Sequence, residues 1–488
     1  MRSVKRTKTA NSIRKTSFNV SKVFIETVGC PKNLEDSERM AGLLSAAGHD
    51  ITFDPAEADI IVVNTCGFIE DAKRESIETI FEYATYKEEG KKLIVTGCLS
   101  ERYSAELAAE LTEADAILGV NEYEILPDLI ATGDESSRSS LCELPCEPLI
   151  NKNTYLTQSL AEHRQRAEGT RLLSTPRFAL TPRHSSYLKI AEGCSNNCAY
   201  CVIPSIRGPY RSTPIEKLVR EAEGLAAEGC KELVLIAQDV TWYGKDLYGS
   251  FALPELLSAI LASEAASSIE WIRLLYCYAE RVNDDLIKVM TEEPRILKYI
   301  DLPLQHVNDK ILKNMRRVGT GKEIRETIIR LRAAMPDIAI RTTFITGLPG
   351  ETEEDFEEMY NFVEETRFDR LGVFIYSPEE GTDAALMPDQ VDRETAIERR
   401  DALMRLGQTI SLERNEKLVG TIQEVLADAR EEDAWIGRTR ADAPEIDDAV
   451  IFTAPGTNCD IIGTIVRVKI TDAMDYDVIG ELVQHESA

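Results

Sequence analysis

The chain has 488 residues and a net charge of −28, from 56 basic and 84 acidic side chains. That length provides for two to four domains and a sizeable core, and no apolar run reaches the about 18–20 residues of a membrane span. Strong non-specific affinity for nucleic acid depends on neutralising phosphates, so the acidic balance argues against it; a basic protein partner or a small-molecule substrate fits better.

The opening "MRSVKRTKTANSIRKTSF" is basic and lacks the apolar stretch of a secretory signal. Residues 1–21 read as a disordered tail, and the chain is expected to be cytoplasmic. In a reducing compartment its eleven cysteines are thiols or metal ligands rather than disulfides.

From 22 to 133, short apolar runs alternate with amphipathic stretches. "KVFIETVG", "ADIIVVNT" and "KKLIVTG" read as strands; "NLEDSERMAGLLSAAG", "EDAKRESIETIFEYATY" and "YSAELAAELTEA" read as helices. Repeated βαβ units predict an open parallel sheet with helices on its faces. Residues 134–183 lose this pattern and read as a linker or insertion, with Cys142 and Cys146 at a CxxxC spacing and no second ligand pair.

Between 184 and 410 the βα pattern resumes. "YLKIA", "ELVLIA", "IEWIRLLY", "LKYIDLPL", "IAIRTTFIT" and "RLGVFIY" are six candidate strands with helical stretches between them. Six units are too few for an eight-fold barrel and predict a partial (β/α)6 barrel. From 417 to 488, short alternating strands with Gly and Asp turns predict a small antiparallel β-barrel. That last segment holds 15 acidic and 6 basic residues, a net −9.

The first barrel strand runs into "EGCSNNCAYC", which places Cys194, Cys198 and Cys201 within eight residues. Barrel active sites lie at the C-terminal ends of strands, so these cysteines stand where chemistry is expected. Three thiolates can hold three irons of a four-iron cluster and leave the fourth open. Zinc is the rival, but structural zinc sites close with a fourth Cys or His. The histidine within ten residues is His184, on the far side of the strand.

CxxxCxxC with an aromatic before its last cysteine resembles the radical S-adenosylmethionine (SAM) superfamily, which implies a cluster whose open iron chelates SAM and cleaves it to a 5′-deoxyadenosyl radical. In the first domain Cys30, Cys66 and Cys98 each follow a strand, at the carboxyl ends that form one crevice in an open parallel sheet. Three thiols would meet there and suggest a second cluster; buried cysteine as a small hydrophobe is the plain alternative.

Two three-cysteine sets and a terminal barrel resemble the methylthiotransferases over nearly the whole chain. "GCPKNLEDSERM", "NTCGFIEDAKRESIETI", "CVIPSIRGPYRS" and "GRTRADAPEIDDAVIF" are similar to the branch that modifies ribosomal protein S12. The resemblance implies two 4Fe–4S clusters, SAM as radical source and methyl donor, and methylthiolation of an aspartate β-carbon. It also implies a TRAM-like terminal barrel, an electron donor such as flavodoxin or ferredoxin, and a sulfur donor. An acidic barrel suits a basic ribosomal protein, whereas one that grips transfer RNA should be basic. A transfer-RNA methylthiotransferase and a non-catalytic iron–sulfur scaffold or redox sensor are the alternatives.

By the same resemblance Tyr200 lies near the SAM adenine. Gln238 and Asp239 end a strand and can reach the barrel mouth, Gln238 as a candidate SAM contact; Gln305 and His306 are placed similarly, and His306 is assigned no role. In "FITGLPGET" Gly347, and just before it Thr343, are candidate SAM contacts, although a plain tight turn also explains the glycines.

Overall fold

The computed structural model describes residues 20–132, 176–455 and 459–483. Cys142, Cys146, nearly all of the basic tail and most of the 134–183 segment lie outside them.

The first part comprises β1 (Lys22–Thr27), α1 (Pro31–Ala46), β2 (Asp50–Ile51), β3 (Ile60–Thr65), α2 (Glu70–Ala84), β4 (Lys92–Gly97), α3 (Cys98–Arg102), α4 (Ser104–Glu110), β5 (Ala116–Ile117) and α5 (Leu126–Thr132). Its five strands run parallel in the order β2-β1-β3-β4-β5. The side chains of β3 are buried throughout, as a strand covered on both faces requires. β2 and β5 escape sequence detection because two residues carry no period.

The central part holds β6 (Ser185–Lys189), β7 (Ala191–Glu192), α6 (Ile203–Arg207), β8 (Arg211–Ser212), α7 (Ile215–Ala227), β9 (Glu232–Ile236), α8 (Lys245–Tyr248), α9 (Leu253–Ala262) and β10 (Trp271–Leu274). It continues with α10 (Asp284–Glu292), β11 (Ile296–Gln305), α11 (Asp309–Asn314), α12 (Gly321–Ala334), β12 (Ala339–Thr346), α13 (Glu353–Thr366) and β13 (Arg370–Ile375). Six parallel strands stand in the order β13-β12-β11-β10-β9-β6, the expected partial barrel. Leu188, Leu233, Leu235, Ile272 and Ile340 point from it into the main core with the helices. Their alternates Tyr187, Val234, Ile236, Trp271, Tyr299 and Ala339 line the opposite, concave face.

The terminal domain is a closed barrel of β14 (Ile422–Glu431), β15 (Ala434–Thr439), β16 (Val450–Thr453), β17 (Ile465–Ala473) and β18 (Val478–Leu482). Its pairs are antiparallel except β16 with β18, which run parallel. Five strands closing on themselves cannot all alternate in direction, so one like-directed pair is unavoidable. A 26-residue helix, α14 (Arg393–Leu418), joins sheet to barrel and packs on β12, β13 and β17. The sequence placed a boundary within it, because a helix with two partners shows no single apolar stripe.

The barrel docks on the concave face. Leu426 and Ala443 join the cluster formed by Tyr187, Trp271 and Tyr299. Buried charges fix this contact: Glu232 takes Arg273 and Arg438 at 2.7 Å each, and Arg370 Nε donates to Asp442 at 3.1 Å. Five of the barrel's carboxylates (Asp428, Asp442, Glu445, Asp447, Asp448) are therefore turned toward the central domain, contacting His184, Arg370, Tyr187, Arg341 and Arg370 respectively.

Burial lifts the Asp448 carboxyl to about 7 despite Arg370 at 3.1 Å, and Asp442 and Asp447 add to the rise. A carboxyl raised in the folded state binds its proton more tightly there than when unfolded, so its stabilisation is lost as pH rises from about 4 to 7. Asp448→Asn should flatten the fall of the melting temperature across that window and leave the protein at least as stable at pH 8. Thermal melts of both proteins at pH 5 to 8 check this; an unchanged slope would contradict it.

Candidate functional site

Two sets of thiols stand where strands end. β1, β3 and β4 are neighbours in the first sheet, and Cys30, Cys66 and Cys98 follow them at one edge. Gly29 permits the approach: at φ +103°, an added Cβ would lie 2.7 Å from the Cys66 Cβ and 3.1 Å from its sulfur. Cys98 Sγ donates to Asn33 Oδ1 at 3.6 Å, and Asn33 is pinned by its amide to the Val28 and Thr65 carbonyls. Burial pushes the Cys66 and Cys98 thiols up to about 12 and about 11, and in both the Cys30 sulfur adds to the rise.

The second set follows β6. Cys194 N–H donates to the Gly208 carbonyl at 3.0 Å, and Cys201 N–H to Cys198 at 3.2 Å. Asn196, inside the cysteine loop, is tied to Asp239 at 2.9 Å, and Arg281 bridges both residues. Asp239 is thus a positioning residue for this loop. Burial pushes Cys194 up to about 11 and Cys201 to about 12, with the Cys198 sulfur adding in each.

Tyr200 is half-buried against the main core; Cys198 and Arg317 are among its electrostatic neighbours. Arg317 stacks 3.9 Å from the Tyr278 ring centroid, and the Tyr278 hydroxyl is 3.7 Å from Cys198 Sγ. Gln238 Nε2 donates to Glu192 at 3.4 Å while its Oε1 is buried without a partner, as are Glu280 Oε2 and Arg317 Nε. Orphaned polar atoms cost free energy unless something satisfies them, so this side of the second set fits a polar ligand. Thr343 is buried, its hydroxyl accepting from Arg341 at 3.3 Å. The Gly347 amide is committed to Glu351 at 3.2 Å, and a Cβ there would lie 2.4 Å from that of Ala396, so packing and φ +79° account for this glycine. His306 is fully buried, pushed down to about 3 by burial, and accepts from the Asn308 amide at 3.0 Å: a neutral structural histidine.

Between the sets lies a buried charge cluster that sequence reading did not anticipate. Arg207 donates to Glu192 at 3.0 Å, to Asn33 at 2.7 Å and to Asp36 at 3.0 Å. Lys189 pairs with Glu35 at 2.8 Å, with Glu192 at 3.0 Å and with Asp36. Burial alone would raise Glu192, but the Arg207 and Lys189 charges overcome it and hold the carboxylate well below its usual range. Asp36 goes the other way: burial lifts it further than the same two cations pull it down. Glu192 stands two residues before Cys194, and Asn33 touches Cys98, so these hydrogen bonds run from one set to the other.

Lys32 and Tyr276 also belong to this junction. The Lys32 ammonium is 3.1 Å from the Tyr276 ring centroid, and burial pulls its pKa down to about 8. Tyr276 follows β10 at φ +62°, held by its N–H on Asp301 at 2.9 Å and by Val240 N–H on its carbonyl at 3.0 Å.

The donor chemistry fits the expected clusters. Each set offers three thiols, and thiolate is the ligand of iron–sulfur centres. Among the described residues no three Cys, His, Asp or Glu side chains converge tightly enough to chelate a single metal ion. No helix among them is long and apolar enough to cross a membrane.

Residues 22–119 match uncharacterized protein family UPF0004, 188–363 the radical SAM superfamily and 419–483 the TRAM domain. A ribosomal protein uS12 methylthiotransferase, RimO, from Geobacter sulfurreducens is 47% identical over 467 residues, 95% of this chain and 98% of that protein. The protein of the same name from Clostridioides difficile is 43% identical over 465 residues, 95% and 99% of the two. Among solved structures, the radical SAM methyltransferase TsrM from Kitasatospora setae, with cobalamin and a 4Fe–4S cluster bound, superposes with a TM-score of 0.53 at 15% identity, over 84% of this chain and 81% of that one. That is a likeness of fold alone. Nearly full-length identity on both sides decides the matter: the chain belongs to the ribosomal protein uS12 methylthiotransferase family.

Proposed function

We propose that this chain methylthiolates the β-carbon of an aspartate in ribosomal protein S12, with one thiol set for each half of the chemistry. The observation that carries the reading is the pair of three-thiol sets, each at its own sheet's strand ends and joined through Arg207. Cys194, Cys198 and Cys201 hold one 4Fe–4S cluster and Cys30, Cys66 and Cys98 the other. When bound, the clusters and SAM supply the radical, the methyl group and the site of sulfur delivery.

The chain's own side chains hold and orient. Tyr200, Gln238 and Thr343 are assigned to SAM in this reading, which the unpartnered Gln238 Oε1 supports. Asp239 and Arg281 fix the cysteine loop. Arg207 and Lys189, held by Glu192, lock the central domain to Asn33, Glu35 and Asp36 of the first, so the substrate carbon meets both centres in one geometry. Such a reaction draws electrons from a flavodoxin- or ferredoxin-type donor and sulfur from a donor protein or sulfide. It belongs in the cytoplasm, where the ribosome is assembled. The terminal barrel's acidic residues outside the docking contact, Glu431 and Glu432 among them, suit a basic ribosomal protein rather than transfer RNA.

The intact mass of S12 from cells with and without the chain tests this reading. A methylthio increment should appear only with it, and an unchanged mass would sink the proposal. The thiol sets should also separate by function. Replacing Cys194, Cys198 or Cys201 by Ala should abolish 5′-deoxyadenosine release from SAM under anaerobic reduction. Replacing Cys30, Cys66 or Cys98 should leave that release within about two- to threefold of the parent protein and stop sulfur insertion. Liquid chromatography of the nucleoside and mass spectrometry of the peptide read the two halves separately.

A further inference from the structure

Nine lysines and arginines among the described residues are buried. Eight make hydrogen bonds or ion pairs: Arg39, Lys189, Arg207, Arg273, Arg370, Arg399 and Arg438 to carboxylates, and Arg317 to the Pro303 carbonyl. Lys32, 7% exposed, makes neither; its ammonium rests on the Tyr276 ring, with the Cys30 sulfur the foremost charge acting on it. The carboxylates around it are engaged elsewhere. Glu192 and Asp36 hold Lys189 and Arg207, and Asp301 holds Arg341 and the Tyr276 amide. A buried cation with no carboxylate paired to it is costly, and a ring face offsets only part of that cost.

Tyr276 carries a second, independent sign. Its left-handed backbone is strained in a bulky residue, and such strain gathers at ligand sites. Asp301 and Val240 hold it there from both sides of the peptide. Lys32 lies in the first turn of α1, two residues from Cys30, and that turn contains no acidic residue. The helix terminus therefore adds to the positive potential. Tyr276 lies at the carboxyl end of β10, in the sheet whose first strand leads to Cys194. The free ammonium thus stands between the two thiol sets.

We propose that Lys32, held on Tyr276, is the substrate-carboxylate anchor: it pairs with the side-chain carboxylate of the aspartate to be modified and so places the adjacent β-carbon between the two centres. This rests on the function proposed above. A carboxylate entering this junction meets Asp36, Glu192 and Asp301 and needs a cation that none of them has taken. Lys32 is that cation. One ammonium matches one carboxylate, whereas an amide or a nucleobase would leave the charge unpaired, so the contact also selects for acid over amide.

The test uses the full-length, cluster-reconstituted enzyme and two labelled peptides spanning the S12 target, one with Asp and one with Asn at the modified position. Binding is followed by fluorescence anisotropy. The parent enzyme should prefer the Asp peptide by on the order of tenfold or more, as for a desolvated charge pair. Lys32→Met should lose that preference with affinity for the Asn peptide unchanged, and Lys32→Arg should keep part of it. Iron content, electron paramagnetic resonance spectrum and peptide-free SAM cleavage should stay as in the parent, and the melting temperature of Lys32→Met should hold or rise, because an unpaired buried charge has been removed.

A preference that survives in Lys32→Met overturns the proposal. So does equal weakening of both peptides with an altered cluster spectrum, which would mark Lys32 as a counter-charge to the cluster, or a marked fall in melting temperature, which would mark it as structural. If the parent enzyme neither binds nor methylthiolates the Asp peptide, the proposed function fails and takes the anchor with it; that result is seen before any variant is made.

Discussion

The arrangement depends on a charge cluster sealed between two domains. Arg207 and Lys189 sit among Glu35, Asp36 and Glu192, all buried, and the first two carboxylates belong to a different domain from the third. Burying such groups is expensive, and an apolar contact of the same size would often be as stable. What ions add is direction. Guanidinium and carboxylate meet in one geometry, and a slipped interface would strand charges at several kcal/mol each. Arg207 touches Asn33, which touches Cys98, while Glu192 stands two residues from Cys194. The interface therefore sets the relation between the thiol sets and not merely the adhesion of two domains.

The terminal barrel repeats this logic on the concave face of the central sheet. A partial barrel leaves its inner strand face open, and Tyr187, Trp271 and Tyr299 would otherwise meet water there. The docked barrel covers them, while its aspartates meet Arg341 and Arg370 and its Arg438 meets Glu232. The acidity of this domain is thus of two kinds. Part of it is structural and neutralised within the molecule; the rest, Glu431 and Glu432 among it, faces outward. A count of charges along the sequence merges the two.

Much was legible in the chain because strand periodicity places strand ends. Cys30, Cys66 and Cys98 could be located at one sheet edge from three apolar runs, and the central six-stranded sheet from six more. What could not be read are properties of pairs. Asp36 and Arg207 are 171 positions apart, and nothing in either segment announces the other. Lys32 stands out by the lack of a partner, and Tyr276 by a backbone angle; neither is written in residue types. Gly347 shows another kind of pair. A glycine in a strand-to-helix turn suggests ligand approach, and a packing reason stands beside it: the neighbour that excludes a side chain is Ala396, on a helix about fifty residues on. That helix, α14, was itself split by the reading, since its apolar residues serve the sheet at one end and the barrel at the other.

The continuity of α14 has a mechanical consequence. Twenty-six residues of unbroken helix make a rod about 39 Å long, seated on β13 at one end and on β17 at the other. The barrel cannot swing while that rod is intact and its arginine contacts hold. The barrel's outer surface is then held at a constant offset from the crevice, as by a ruler. A surface held there would lie at one fixed distance from the thiol sets, which would favour one residue over neighbours of the same type a few ångströms nearer or farther.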